Sequence, residues 1–158
     1  MNLLRKSIAS AVVALVLTTA ASGAAQAAPR PSSPQMAHRD ASDAVLAAEF
    51  LRINQAGDGV ALRRLLSPDF LLQRSDGTYL TREQYLLRPS KIDAFQISDV
   101  VGTRTRGVRV IRYTLAATIE IDGRPISQEP VPRLSAFVWR GGAWRLVAHA
   151  NFAAIPKS

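Results

Sequence analysis

His149 is one of two histidines in a chain of 158 residues, and the other, His38, lies in a proline-bearing stretch ahead of any periodic pattern. A histidine in a fold can serve as a general base or proton donor near neutral pH. Asp99 is a second candidate. It follows the alternating positions Asp93, Phe95 and Ile97, and a carboxylate at a barrel mouth could take a proton from a substrate. The opposing expectation is an ordinary ion pair with Arg104, Arg106 or Arg109. Tyr79, Tyr85 and Tyr113 supply hydroxyls that could donate to a ligand oxygen or simply be satisfied within a core. Arg133 and Ser135 alternate with Phe137 and Trp139 and so share their face. A buried unpaired guanidinium is costly, which directs Arg133 toward an acidic ligand or the mouth of a cavity.

Several chemistries are excluded by residue type. The chain has no cysteine, so thiolate metal sites and cysteine nucleophiles are ruled out. It has no Gly-x-Ser-x-Gly elbow, no phosphate loop and no His-Glu-x-x-His pair. One fold histidine among scattered carboxylates does not make a transition-metal site, and no metal or cofactor is expected.

These side chains must be positioned by a mixed set of elements. Ala44, Val45, Ala47, Ala48, Leu51 and Ile53 recur at helical spacing over 40–54, with Asp40 or Ser42 as cap and Gly57 as terminator. Asp58 caps a short helix over 60–66, which Ser67-Pro68 ends. Residues 69–74 read as a strand and Ser75-Asp76-Gly77-Thr78 as a turn. Thr81 and Gln84 form a capping box for a brief helix ending near Pro89. The remainder is β: 92–101, 108–121, a longer loop over 122–130, and a hairpin closed by Gly141-Gly142.

Counting back from that turn, Trp139 faces Trp144, Phe137 faces Leu146 and Ser135 faces Ala148. Leu134 faces His149 on the opposite side. The expected face of Phe137, Trp139, Trp144, Leu146, Ala148, Ala150 and Phe152 receives the first helix. His149 is then expected on the convex side, as a structural or interface residue. Helices on one side of a curved antiparallel sheet define an α+β domain.

The first 27 residues read as an export signal: Arg5-Lys6, an apolar run from Ile8 to Ala21, then Ala25-Gln26-Ala27 as a cleavage site. The run is too short for a spanning helix, so no stable membrane anchor is expected. Residues 28–39 read as a Pro/Ser-rich tether and 40–158 as one domain, exported to the periplasm or beyond. Formal charge is +8, or +6 once Arg5 and Lys6 are removed, leaving 18 basic and 12 acidic residues. The arginines are dispersed, which describes a solvated basic surface, and no nucleic-acid partner is expected.

The ordered set Ala56-Gly57-Asp58-Gly59-Val60-Ala61-Leu62, Leu65 to Phe70, Ser75-Asp76-Gly77 and Trp139 to His149 resembles the nuclear transport factor 2-like superfamily. Within it the chain is similar to the SnoaL-like group and the family labelled domain of unknown function 4440. The resemblance spans about 41–153. It implies a cone-shaped α+β fold, commonly dimeric, with a cavity between the first helix and a concave sheet. It implies no single activity, since members include isomerases, cyclases, dehydratases, binding proteins and association modules. The expectation is a cone that binds a small apolar molecule and a homodimer formed through the sheet. Tyr85, Tyr113, Arg133, Ser135, Trp139 and Trp144 are the candidate ligand contacts. The alternative is an acid–base enzyme acting on a small hydrophobic substrate, with Asp99 or His149 as its catalytic group.

Overall fold

A computed structural model describes residues 38–121 and 123–152. The expected export signal, nearly all of the tether and the last six residues lie outside the described residues. Helix α1 (Asp43–Gln55) is capped by Ser42, whose hydroxyl accepts from the Val45 amide at 3.3 Å. Helix α2 (Gly59–Leu65) is capped by Asp58, which accepts from Val60 and Ala61. Strand β1 (Leu66–Gln73) follows directly, then a short β2 (Tyr79–Thr81) and α3 (Arg82–Leu87), which carries the Thr81–Gln84 capping box. Strands β3 (Lys91–Thr105), β4 (Val108–Ile121), β5 (Arg124–Arg140) and β6 (Ala143–Asn151) complete the chain.

The six strands form one sheet in the order β2-β1-β6-β5-β4-β3, antiparallel except for the parallel pairing of β1 with β6. Leu46, Ala47, Phe50, Leu51 and Ile53 of α1 bury against its inner face, where Ile111, Tyr113, Leu115, Phe137, Trp144 and Leu146 meet them. Among the described residues no helix is long and apolar enough to cross a membrane.

Three departures from the periodic reading matter for function. Backbone 124–130, expected as a loop, belongs to β5: Ile121 pairs with Arg124, and a shift opposite Ala116 accommodates Pro130. Proline is compatible with a strand at such irregularities and near a strand's start. In β3 the register shifts between Ser98 and Val101, where Asp99 has φ 49°. In β6 it shifts between Leu146 and Ala148: Phe137 pairs with Leu146, but Ala136 pairs with Ala148 and Ser135 with His149. Val147 is the extra residue of a β-bulge, and a bulge reverses the side-chain alternation beyond it.

The bulge corrects the expected facing. Before it, Trp139 faces Trp144 across the Gly141-Gly142 turn, both glycines having positive φ. After it, His149 and Asn151 stand with Ser135 and Arg133 on the inner side. Ala148 and Ala150 pair with the outward Ala136 and Leu134, and Phe152 is 48% exposed. His149 is therefore buried in the cone and not on its convex surface.

Candidate functional site

One end of the fold holds a cavity of about 610 Å³. It lies where α1 ends, α3 exits into β3, β4 turns toward β5, and β6 finishes. Leu72, Leu80, Leu87 and Pro89 give it apolar walls. Asn54, Tyr85 and Asn151 present polar groups to it. Arg74, Arg88, Lys91 and Glu120 also line it.

Asn54 and Tyr85 form one hydrogen-bonded unit. The Tyr85 hydroxyl donates to Asn54 Oδ1 at 2.7 Å and accepts from the Ser90 amide at 3.4 Å. Asn54 Nδ2 donates to the Phe50 carbonyl at 2.7 Å, within the last turns of α1. Burial pushes the Tyr85 pKa up to about 12, against the opposing effect of the Ser90 and Asn54 hydrogen bonds. The capping box at Thr81 fixes the start of α3 and thereby the position of Tyr85 one turn on. Phe50 and Phe70 pack on the tyrosine ring at 5.7 and 5.8 Å between centroids.

His149 lies deeper. Its Nδ1 is 2.9 Å from Ser135 Oγ, and the Phe50 ring stands 4.9 Å away. Burial, reinforced by the positive charge of Arg133, lowers its pKa to about 3, although a hydrogen bond with Asn151 opposes the shift. The imidazole is neutral at physiological pH. A neighbouring Ser and His invite comparison with a nucleophile and its base, but both side chains are buried and neither lines the cavity. The pair satisfies two polar groups that would otherwise be buried without partners.

Tyr113 is also inside, 6.5 Å from the His149 ring. Its hydroxyl has no hydrogen-bond partner of normal geometry among the described residues. Burial pushes its pKa up to about 12, partly offset by the nearby Ser135 hydroxyl and Arg133 charge. Arg133 is buried, donates to the Pro132 carbonyl at 3.0 Å, and has its pKa lowered by desolvation. Of the six expected ligand contacts, Tyr85 lines the cavity, while Tyr113, Arg133 and Ser135 sit among the buried residues around His149.

Trp139 and Trp144 lie elsewhere, beside the Gly141-Gly142 turn at the other end of β6. Their rings meet edge-on at 5.4 Å. Arg109, fully buried, stacks on Trp144 at 4.7 Å. Its guanidinium donates to the carbonyls of Ala41 and Arg39 and to Asp43 Oδ1 at 3.2 Å. This group pins the entry into α1 onto the sheet. Asp99 is exposed on the β3 bulge, where its carbonyl accepts from Arg112 and its carboxylate from Ser98. Tyr79 is exposed. Among the described residues no group of three or more His, Cys, Asp or Glu could hold a metal.

Asn54, Asn151, Arg74 and Lys91 escaped the sequence reading. Asn54 alone had a usable signal, since it lies four residues from Phe50 and three from Leu51 on the apolar stripe of α1. Asn151 reaches the inner face only because of the bulge.

No family model and no curated protein matches this sequence. Solved structures do match. A nuclear transport factor 2-like protein from Cytophaga hutchinsonii aligns at TM-score 0.64 and 18% identity over 69% of this chain and 93% of that one. One of unknown function in nutrient uptake from Rhodospirillum rubrum aligns at TM-score 0.64 and 21% identity over 73% and 100%. An uncharacterized protein with a cystatin-like fold from Caulobacter vibrioides aligns at TM-score 0.57 and 16% identity over 72% and 87%. The helices, the curved sheet and these likenesses together give the chain the nuclear transport factor 2-like, cystatin-like cone fold.

Proposed function

We propose that the protein is an exported, non-catalytic binding domain that holds a small, mostly apolar molecule at one end of its cone and dimerises through the outer face of its sheet. The observation that carries this reading is the cavity of about 610 Å³, walled by leucines and proline and bearing a few fixed polar groups. That size and make-up are typical of small-molecule sites.

The titration of the polar groups favours binding over turnover. Efficient acid–base catalysis needs a group that exchanges protons near the working pH. Tyr85 and Tyr113 are shifted upward and His149 downward, each away from neutrality. Glu120, the carboxylate lining the cavity, is ion-paired with Lys91 at 2.9 Å. An isomerase, cyclase or dehydratase of this fold would need an unpaired base within reach of its substrate, and the described lining offers none.

The test is a thermal-melting screen of the mature chain against small apolar and aromatic compounds, with Leu72→Arg as a filled-cavity control. The expected result is a melting temperature raised by some compounds in the native protein and by none in the variant. A flat response across the library would overturn the reading. The mass of chain recovered from the periplasm tests export, with Ala28 as the expected first residue.

A further inference from the structure

We propose that the ligand of the cone is an amphiphile, an oxyanion head group on a small apolar body, with Arg74 and Arg88 receiving the head group at the cavity mouth. The inference rests on the binding reading above and specifies its ligand class.

The charged groups lining the cavity are Arg74, Arg88, Lys91 and Glu120. Lys91 and Glu120 answer each other at 2.9 Å. No carboxylate lies within ion-pair distance of Arg74 or Arg88 among the described residues. Asp76 feels the Arg74 charge, but its Oδ1 already accepts from the Thr78 amide and hydroxyl at 2.9 and 2.6 Å. Among the described residues, two guanidinium groups thus border the cavity with no carboxylate in ion-pair contact. Guanidinium matches the planar, bidentate geometry of carboxylate and phosphate oxygens, and its weak hydration suits it to a partly apolar setting.

The backbone holds both arginines in place. Arg74 opens the turn before β2: its amide donates to the Thr78 carbonyl at 2.8 Å and its carbonyl accepts from Gly77 at 3.2 Å. Arg88 closes α3, its amide donating to the Tyr85 carbonyl at 3.2 Å. Each stem therefore starts from a fixed point on the rim. The potential below has the same sign, because Arg133 is buried beside Asn151 and opposes protonation of His149. A cationic head group would meet positive charge at both depths. A neutral one would gain nothing from the arginines. The walls of Leu72, Leu80 and Leu87 take the apolar body.

Calorimetric titration of the mature chain with decanoate, decyl phosphate, 1-decanol and decylamine tests this. The two oxyanions are expected to bind about ten-fold more tightly than the alcohol, and the amine most weakly. Raising salt to about 0.5 M should weaken the oxyanions and leave the alcohol unchanged. Arg74→Gln with Arg88→Gln should erase the oxyanion preference while keeping the alcohol affinity. Arg63→Gln with Arg64→Gln, on α2 away from the cavity lining, removes equal charge and should keep the preference. Alcohol binding as tight as that of the oxyanions, or a preference that survives the Arg74/Arg88 change, overturns the head-group inference and leaves the binding reading standing. Failure of all four compounds to bind the native cone overturns both. Carboxylate against phosphate affinity then identifies which oxyanion the mouth prefers.

Discussion

His149 is held uncharged by burial and by the nearby Arg133 charge, and this has a consequence in acid. Its pKa falls from 6.5 to about 3 on folding. Between those values the unfolded chain binds a proton that the folded chain does not, so acid favours unfolding. The contribution is fully present above pH 6.5 and is lost as pH falls, by up to about 1.4 kcal/mol per unit. Urea midpoints measured from pH 7 to about 5.5, where ordinary carboxylates stay ionised, should decline in the native protein. The decline should be much shallower in His149→Gln, whose amide can still meet Ser135. Equal slopes would show that the imidazole is not the acid-sensitive group. Arg109 presents the opposite case, a buried cation that keeps its charge through Asp43 and two backbone carbonyls. Arg109→Met should lower stability by about 3 kcal/mol, because it leaves those acceptors and the Asp43 charge without their donor. A chemical denaturation curve within 0.5 kcal/mol or so of the native one would refute that account.

The start of α1 lies close against β3. A methyl group added at Gly102 would lie 2.2 Å from Asp43 Oδ2. The carboxylate would have to leave, and with it the contact to Arg109. Gly102→Ala is expected to cost about 1–3 kcal/mol, and to cost distinctly less when Asp43→Ala is already present. Additive effects in that double-mutant cycle would place the strain elsewhere. The neighbouring strand β4 illustrates what could be read in advance. Period-two counting from Arg109 through Tyr113 to Ile119 puts these residues on one face, and each is buried, because that strand's inward face runs unbroken through the core. The capping box and the Gly-Gly hairpin were legible because each is a local bond pattern with its own residue types. The β3 and β6 bulges were not. An inserted residue has no obligatory side chain, and period-two counting passes straight through it. Tyr85 could be named as a cavity hydroxyl from its place on α3, whereas Asn151 and the inward turn of His149 depended on Val147.

Across the whole molecule, the sheet's outer surface carries several apolar residues among its arginines, Arg112 lying opposite Leu134 and Arg145 opposite Val138. Val108 pairs with Val138, Ala136 with Ala148, and Leu134 with Ala150. Val101 is 62% exposed and Leu134 36%. An antiparallel sheet with a solvated face normally carries polar residues there, and contiguous apolar surface marks an association site. Light scattering at micromolar concentration should return the mass of a dimer. Leu134→Arg should return a monomer with a melting temperature little changed, since the side chain is outside the core. A native monomer would remove the dimer proposal without touching the cavity.

The bulge at Val147 also sets how the domain tolerates insertions and deletions. A length change in a surface turn displaces a loop and leaves the strand faces as they were. Deleting Val147 would remove the bulge and leave Ala148 opposite Ala136 and His149 opposite Ser135. Straightening the bulge with Val147 kept in the ladder would instead turn every later residue of β6 through half a rotation. Ala148 and Ala150 would move into the interior while His149 and Asn151 moved to the outside, with no residue changed. Chains of this fold that share the Trp-Arg-Leu-Val-Ala-His string but pair its valine regularly would therefore build different cavity floors from the same letters. Alignment by letter alone would hide that difference, while the parity of β6 would reveal it.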